Sequence, residues 1–131
     1  MDSKDRFRIV IDVDGTLAQF KKKEETYSDI LPNQEVLDKL KEYREQGFYI
    51  IVCSARNMRT YDNNMGLLQA NTLPVLLDWL KKHEVPFDEV HVGKPWCGFE
   101  GFYVDDKAIR PTEFTSLSYE EIMDRVGEAD A

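Results

Sequence analysis

Short apolar runs alternate with stretches of helical periodicity along this chain. The runs predict strands over residues 7–13, 48–53, 89–92 and 101–105. Apolar residues at helical spacing between them predict helices over 33–46, from Thr72 to His83, and from Ser118 to Gly127. Strands that alternate with helices are typical of an α/β fold with a mostly parallel sheet and right-handed crossovers.

The helix boundaries are predicted from capping residues. Asn33 can cap the first helix and Gly47 can end it, with a buried stripe of Val36, Leu37, Leu40 and Tyr43. Thr72 is expected to begin the second helix, because Pro74 then falls in its first turn. Ser118 and Glu121 fit a capping box before the last helix.

Two polar segments interrupt this pattern. Residues 17–31 carry a lysine-rich and glutamate-rich run and end before Pro32, which predicts a projecting loop or hairpin flap. Residues 57–70 are rich in asparagine and leave room for a short helix around 65–69. Either segment could cover a site.

Composition narrows the class of protein. At 131 residues, with 42% hydrophobic and 32% charged residues, the chain is expected to be one soluble domain over 1–131. No apolar stretch reaches membrane length and the first residues lack a signal-peptide core, so no membrane partner and a cytoplasmic location are expected. The net charge of −8 argues against nucleic acid bound on a broad basic face. It does not exclude a small anionic substrate, since a few cations govern a local pocket.

Two carboxylates follow the first predicted strand, in the segment Asp12-Val13-Asp14-Gly15-Thr16. Ionised side chains at the end of a buried strand are costly unless a cation or a shared proton compensates them. Gly15 lets the backbone turn sharply, and Thr16 places a hydroxyl beside the acids. This combination indicates a functional site.

Polar residues also end the other predicted strands. Ser54 follows the second strand, Lys94 follows the third, and Asp105 and Asp106 follow the fourth. Ligands of such sheets bind outside the carboxyl ends of the strands, so these side chains are expected at one edge.

The set suits hydrolysis of a phosphate monoester. Asp12 can attack phosphorus and form an aspartyl phosphate, and Asp14 can act as acid for the leaving alkoxide and then as base for water. Clustered carboxylates suit Mg²⁺. Ser54 and the backbone N–H groups near Gly15 can bind phosphate oxygens, and Lys94 can balance the transition-state charge.

These residues resemble, in order, the four motifs of the haloacid dehalogenase (HAD) superfamily of phosphatases. The resemblance implies a Rossmann-like three-layer α/β/α fold, Mg²⁺ dependence and the aspartyl-phosphate mechanism. It implies that Asp12 is nucleophile and metal ligand, that Asp14 binds metal through its backbone carbonyl, and that Asp105 is a direct ligand. Asp106 is implied to bind metal through water or to orient a ligand, and Ser54 and Lys94 to hold the phosphoryl group.

A subgroup is also indicated. The segments 54–57, 93–98 and 103–107 resemble those of small HAD proteins associated with bacterial capsule polysaccharide synthesis, which favours a sugar phosphate as substrate. The gaps from Thr16 to Ser54 and from Ser54 to Lys94 are largely occupied by predicted elements, so no cap domain is expected. Capless relatives commonly act on large substrates or complete their sites by oligomerising, so a homo-oligomer is proposed.

Some assignments stay open. Gly15, Thr16 and Arg56 are assigned to substrate binding, although a surface salt bridge explains Arg56 equally well. A nucleotide or nucleic-acid-end phosphatase is one alternative function, and a non-catalytic HAD-like subunit that binds a partner is another. A phosphorylatable receiver domain uses similar residues, but its phosphorylated aspartate ends the third strand, which disfavours it here.

Overall fold

The computed structural model describes residues 3–127, which fall into two compact units that divide between Trp96 and Cys97. The elements of the first unit are, in chain order, α1 (Ser3–Arg6), β1 (Arg8–Ile11), α2 (Gln34–Glu45), β2 (Tyr49–Ser54), α3 (Met65–Leu67), a π-helical turn (Leu68–Thr72), α4 (Leu73–Lys82) and β3 (Glu89–Val92). The second unit contains α5 (Pro111–Ser116) and α6 (Tyr119–Val126).

The three strands form a parallel sheet in the order β1-β2-β3. β2 is central and carries the buried apolar residues Ile50, Ile51 and Val52. Ile11 pairs with Val52, and Ser54 pairs with Val92, so the three carboxyl ends lie at one edge. The predicted α/β class with a parallel, Rossmann-like sheet is confirmed, and so are the first three strands, the first of them shorter than expected.

The first predicted helix is confirmed as α2, with its four stripe residues buried. Asn33 is its N-cap residue, although its side chain makes no capping hydrogen bond. Gly47 follows the helix at φ +93°, and its N–H donates to the carbonyl of Arg44 at 2.9 Å. Only glycine adopts this backbone conformation without strain, which explains why the helix ends there.

The second predicted helix is confirmed as α4, which begins at Leu73 with Pro74 in its first turn, although Thr72 makes no capping hydrogen bond with its side chain. The short helix expected around 65–69 is also present, as α3 and the π-helical turn. Helical backbone starts at Met65 and continues through the π-helical turn into α4, so Thr72 lies inside it. The cap is Asn64, whose side chain accepts a hydrogen bond from the N–H of Leu67 at 3.1 Å. The Thr72 hydroxyl instead donates to Oδ1 of Asn57 at 2.8 Å, because the residue is buried against the preceding loop.

The segment between β1 and α2 is the projecting loop that the sequence predicts. Its two ends are joined by hydrogen bonds from Gln19 N to the Leu31 carbonyl (3.1 Å) and from Asn33 N to the Leu17 carbonyl (2.8 Å). Leu17 and Ile30 are buried at the base of the loop. Apolar residues at both ends therefore attach an otherwise polar loop to the first unit.

The second unit confirms one prediction and corrects another. Ser118 and Glu121 form the predicted capping box at the start of α6, which ends at Gly127. Residues 101–105 are not a strand, and Phe102 and Val104 are 79% and 90% exposed. A short apolar run becomes a strand only where a neighbour completes the hydrogen-bond ladder, and within residues 3–127 this run has none.

Two expectations about organisation remain. That the chain is one capless domain stays a prediction. Among the helices described for residues 3–127, none has the length and apolar character needed to cross a membrane.

Candidate active site

The loop that follows β1 turns tightly at Gly15. Gly15 has φ +82°, and its N–H donates to the Ala18 carbonyl at 2.8 Å. Thr16 N and Ala18 N both donate to the carbonyl of Val13, whose side chain is fully buried. The turn therefore fixes the residues on both sides of Val13, which are the two predicted catalytic acids. Thr16 lies in the same turn, and its hydroxyl is 3.5 Å from Oδ2 of Asp12.

The carboxyl group of Asp12 is partly buried beside Lys94. Nζ of Lys94 lies 3.6 Å from Oδ1 of Asp12. Burial raises the pKa of Asp12 above its ordinary value, the charge of Lys94 opposes the rise, and the charge of Asp14 adds to it. An ionised Asp12 is thus held in a site that only partly compensates its charge. Such a carboxylate gains from a further cation.

Lys94 is positioned by the turn after β3. Gly93 has φ +90°, and the N–H of Lys94 donates to the Ser54 carbonyl at 3.1 Å. The sulfur of Met65 lies only 2.5 Å from the position that a Cβ on Gly93 would take. The ends of β2 and β3 therefore share a hydrogen bond that brings Lys94 to the edge where Asp12 lies.

Ser54 ends β2 and is almost completely buried. Its hydroxyl oxygen accepts a hydrogen bond from the backbone N–H of Arg56 at 3.0 Å. The role of Ser54 in holding a phosphoryl group stays a prediction. In this structure the hydroxyl organises the turn that carries Arg56.

Arg56 forms a two-pronged ion pair with Asp14. Nε donates to Oδ2 at 3.1 Å and Nη2 donates to Oδ1 at 2.9 Å. The side chain of Arg56 is only 1% exposed, so this is a buried pair rather than a surface salt bridge. Substrate binding by Arg56 and Gly15 stays a prediction, whereas the contact with Asp14 was not predicted from the sequence.

Asp105 and Asp106 belong to the second unit. Both are exposed, and Oδ1 of Asp105 accepts a hydrogen bond from the N–H of Lys107 at 2.8 Å. Their role as metal ligands stays a prediction. The first unit alone brings together Asp12, Asp14, Ser54, Arg56 and Lys94.

The acidic loop has the donor chemistry for Mg²⁺. Within the described part of the chain, no three His, Cys, Asp or Glu side chains form a metal-binding group. Mg²⁺ is commonly held by one or two carboxylates together with water and substrate phosphate. Asp12 can supply such a carboxylate, and burial disfavours its charge, so a bound cation would stabilise it. Metal binding through the backbone carbonyl of Asp14 stays a prediction.

Tyr27 is a site residue that the sequence analysis missed. Its ring centroid lies 4.1 Å from Cζ of Arg56. Burial raises the pKa of Tyr27, with a further rise from the charge of Asp14 and an opposing effect from Arg56. An aromatic residue in an otherwise charged loop is the signal that could have indicated it.

The arrangement separates two carboxylates by environment. Asp12 faces an ammonium, whereas Asp14 is held in place by a guanidinium. A nucleophile beside an oriented acid–base group is the requirement for covalent hydrolysis in two steps.

Comparisons with known proteins show the family. The sequence model of the polynucleotide kinase PNKP phosphatase domain, a HAD family, matches residues 7–95. A crystal structure of a structural-genomics target from Vibrio cholerae is 47% identical with a TM-score of 0.88, and covers 93% of this chain and 98% of that one.

Two more distant structures share less. A chain in the Pnkp1/Rnl/Hen1 RNA repair complex is 22% identical with a TM-score of 0.47, and covers 70% of this chain and 28% of that one. A second structure of the Pnkp1/Rnl/Hen1 complex gives 21% identity, a TM-score of 0.48, and coverage of 88% and 37%. No curated protein matches the chain. From the family match over residues 7–95, the chain belongs to the PNKP-type phosphatase domains of the haloacid dehalogenase superfamily.

Proposed function

We propose that this protein is a Mg²⁺-dependent phosphatase that hydrolyses a small phosphate monoester through an aspartyl-phosphate intermediate. The observation that carries the proposal is the pairing of Asp12 with Lys94 beside an Asp14 that Arg56 orients. The family match over residues 7–95 supports phosphatase chemistry in general.

In the first step, a carboxylate oxygen of Asp12 attacks phosphorus while the bond to the leaving oxygen breaks. Asp14 gives its proton to the leaving alkoxide, and the electron pair of the broken bond stays on that oxygen. A protonated carboxyl keeps one free acceptor oxygen, so Asp14 can retain one of its two hydrogen bonds to Arg56.

In the second step, water attacks the phosphorus of the aspartyl phosphate. Asp14 takes the proton of the water, the bond between phosphorus and Asp12 breaks, and inorganic phosphate leaves. Lys94 stabilises the negative charge that builds up on the phosphoryl oxygens in both steps. Asp12 and the Asp14 carbonyl would hold a Mg²⁺ here, which would supply charge neutralisation between the nucleophile and the phosphate.

A sugar phosphate is the proposed substrate class. The resemblance of segments 54–57, 93–98 and 103–107 to capsule-associated HAD proteins supports it, and so does the net charge of −8, which disfavours a long polyanion. A nucleotide or a nucleic-acid end is the second candidate, which the PNKP phosphatase family match favours.

A turnover assay tests the proposal. Wild-type protein is assayed with sugar phosphates, nucleotides, and oligonucleotides phosphorylated at the 3′ or 5′ end, with Mg²⁺ and with EDTA. We expect Mg²⁺-dependent release of phosphate and its loss in Asp12→Asn, with Asp78→Asn, at an exposed position of α4, as the matched control. Equal turnover by wild type and Asp12→Asn on every hydrolysed substrate would refute the nucleophile assignment.

The substrate panel also separates the alternatives. Preference for phosphorylated oligonucleotides over hexose phosphates would replace the sugar-phosphate proposal by the nucleic-acid-end one. No turnover on any substrate would favour a non-catalytic subunit that binds a partner.

A homo-oligomer is proposed as the assembled state. In the second unit, Phe99, Phe102 and Val104 are 79%, 79% and 90% exposed, and a run of exposed apolar side chains is a feature of interaction surfaces. Size-exclusion chromatography with light scattering tests this, and a monomer at all concentrations would contradict it.

A further inference from the structure

The guanidinium of Arg56 contacts two different segments of the first unit. Its edge binds both carboxylate oxygens of Asp14, at 3.1 and 2.9 Å. The ring of Tyr27, from the loop between β1 and α2, lies over it with the centroid 4.1 Å from Cζ. Arg56 therefore connects that loop to the carboxyl group that transfers protons.

Asp14 holds the guanidinium of Arg56 along one edge only. Nε and Nη2 are both used by Asp14, and Nη1 is buried with no hydrogen-bond partner within the described part of the chain. A guanidinium held along one edge can still tilt about that edge. The ring of Tyr27 restricts this tilt because it packs against the flat face.

Tyr27 is itself held near this position. The ring is half-buried, and Nζ of Lys21 lies 5.6 Å from its centroid on the same loop. The indole N–H of Trp79 donates to the Ile30 carbonyl at 2.7 Å, which fastens the loop three residues beyond Tyr27. The ring is therefore carried by an anchored loop rather than by a free one.

We propose that Tyr27 is a positioning residue for the phosphatase reaction. By packing on Arg56 it sets the plane of the guanidinium. Arg56 in turn orients the Asp14 carboxyl, through both hydrogen bonds when Asp14 is ionised and through one when it is protonated. The inference rests on the proposed function, because it assigns the orientation of Asp14 to a residue of the loop between β1 and α2.

The kinetic test uses two leaving groups. The leaving group of p-nitrophenyl phosphate is a weakly basic phenoxide, which needs no proton. The leaving group of a hexose 6-phosphate is a strongly basic alkoxide, which does need one. Since kcat/KM reports the steps up to the first irreversible one, it isolates attack by Asp12 with proton donation by Asp14. General acid catalysis contributes ~10²-fold or more to the rate. Because Tyr27→Leu misorients Asp14 without removing it, we expect kcat/KM for the hexose phosphate to fall by about tenfold. The kcat/KM for the aryl phosphate should change by less than about twofold.

Two variants control this test. Tyr27→Phe keeps the ring over Arg56 and should retain the wild-type ratio of the two kcat/KM values. Tyr61→Leu removes another half-buried tyrosine of the first unit. If loss of a tyrosine ring only loosens the fold, this variant should lower the kcat/KM values of both substrates by the same factor. An equal loss on both substrates in Tyr27→Leu, or a selective gain on the hexose phosphate, would overturn the proposal.

A second readout does not depend on activity. The Nε–H of Arg56, which donates to Asp14, should exchange slowly with water in the wild type and in Tyr27→Phe, as followed by NMR with Arg56→Lys for assignment. In Tyr27→Leu the exchange should be about tenfold faster, because the guanidinium can tilt. Unchanged exchange would overturn the positioning role even if the protein hydrolysed no substrate. If the wild type hydrolysed no substrate but the exchange became faster in Tyr27→Leu, only the proposed function would be contradicted.

Discussion

The ammonium of Lys94 lies 3.6 Å from Oδ1 of Asp12, which joins the end of β3 to the predicted nucleophile after β1. Lys94 opposes the rise in the pKa of Asp12 that burial causes. The pair therefore keeps a partly buried carboxylate more easily ionised than burial alone would allow.

Removing the charge of Lys94 should raise the pKa of Asp12 further. We expect Lys94→Gln to move the Asp12 titration to higher pH, as measured by NMR of the side-chain carboxyl carbon in metal-free protein. Lys94→Arg keeps the charge and should move it less. A pKa of Asp12 that falls in Lys94→Gln would contradict the ion pair between Lys94 and Asp12.

Asp12→Asn should stabilise the metal-free protein at neutral pH. The pKa of Asp12 is raised in the folded state, so its favourable contribution is present below the ordinary value of 3.8 and is lost as pH rises through the raised value. At pH 7 the ionised group therefore costs stability that asparagine does not. Thermal unfolding in EDTA should show a higher Tm for Asp12→Asn at pH 8, with the gain shrinking towards pH 4.

The control for that measurement is Asp78→Asn, on the exposed side of α4. Its effect on Tm should be small and nearly independent of pH. A lower Tm for Asp12→Asn at pH 8 would mean that the ion pair with Lys94 stabilises the fold by more than burial of the Asp12 charge destabilises it.

The sequence predicts this site where its residues act through local position. Asp12, Ser54 and Lys94 each follow a strand of a parallel sheet, so knowing the strands is enough to bring them to one edge. The stripe of α2 and the capping box of α6 are equally local, and both are confirmed.

What the sequence did not predict depends on contacts between distant segments. Arg56 pairs with Asp14 and packs on Tyr27, which are 42 and 29 positions away in the sequence, and hydrophobic periodicity does not predict such contacts. The segment 101–105 has the composition of a strand, but strand formation requires a hydrogen-bonded neighbour that composition cannot specify. The sequence did not predict that helical backbone continues from Met65 into α4, because Asn64 and Thr72 are both good capping residues.

Gly93 and Gly47 offer a matched pair of substitutions. Both have positive φ, +90° and +93°, so alanine at either should cost about 1 kcal/mol of stability. A Cβ at Gly93 would also meet the sulfur of Met65 at 2.5 Å, next to Lys94, whereas one at Gly47 meets nothing within 4 Å. The thioether of Met65 can move aside, so the backbone strain directly before Lys94 is the main effect of the substitution. Gly93→Ala should therefore lower kcat/KM by up to about tenfold, and Gly47→Ala should leave it unchanged. Equal activity in the two variants would show that Lys94 does not depend on this turn.

Asp88 links α2 to the start of the β2–β3 ladder. Oδ2 accepts hydrogen bonds from Nη1 of Arg44 and from the N–H of Ile50, both at 2.8 Å. Partial burial raises the pKa of Asp88, but these bonds outweigh it and lower the pKa. The stability that a lowered pKa contributes is present above the ordinary value and lost as pH falls through the folded value. Asp88→Asn should cost about 1 kcal/mol at pH 7, given the partial exposure of both partners, and less at pH 3, below the ordinary pKa of 3.8, in urea unfolding.

The indole of Trp79 anchors the loop that carries Tyr27. Trp79 is 2% exposed, and its N–H donates to the carbonyl of the equally buried Ile30 at 2.7 Å. Trp79→Phe leaves that carbonyl without its donor, so it should cost about 2 kcal/mol in urea unfolding. Hydrogen exchange in residues 19–31 should also become faster, because the base of the loop opens more often. Trp96→Phe, at a position 40% exposed, is the control and should change neither. Unchanged loop exchange in Trp79→Phe would mean that the hydrogen bonds between Leu17, Gln19, Leu31 and Asn33 hold the loop without the indole.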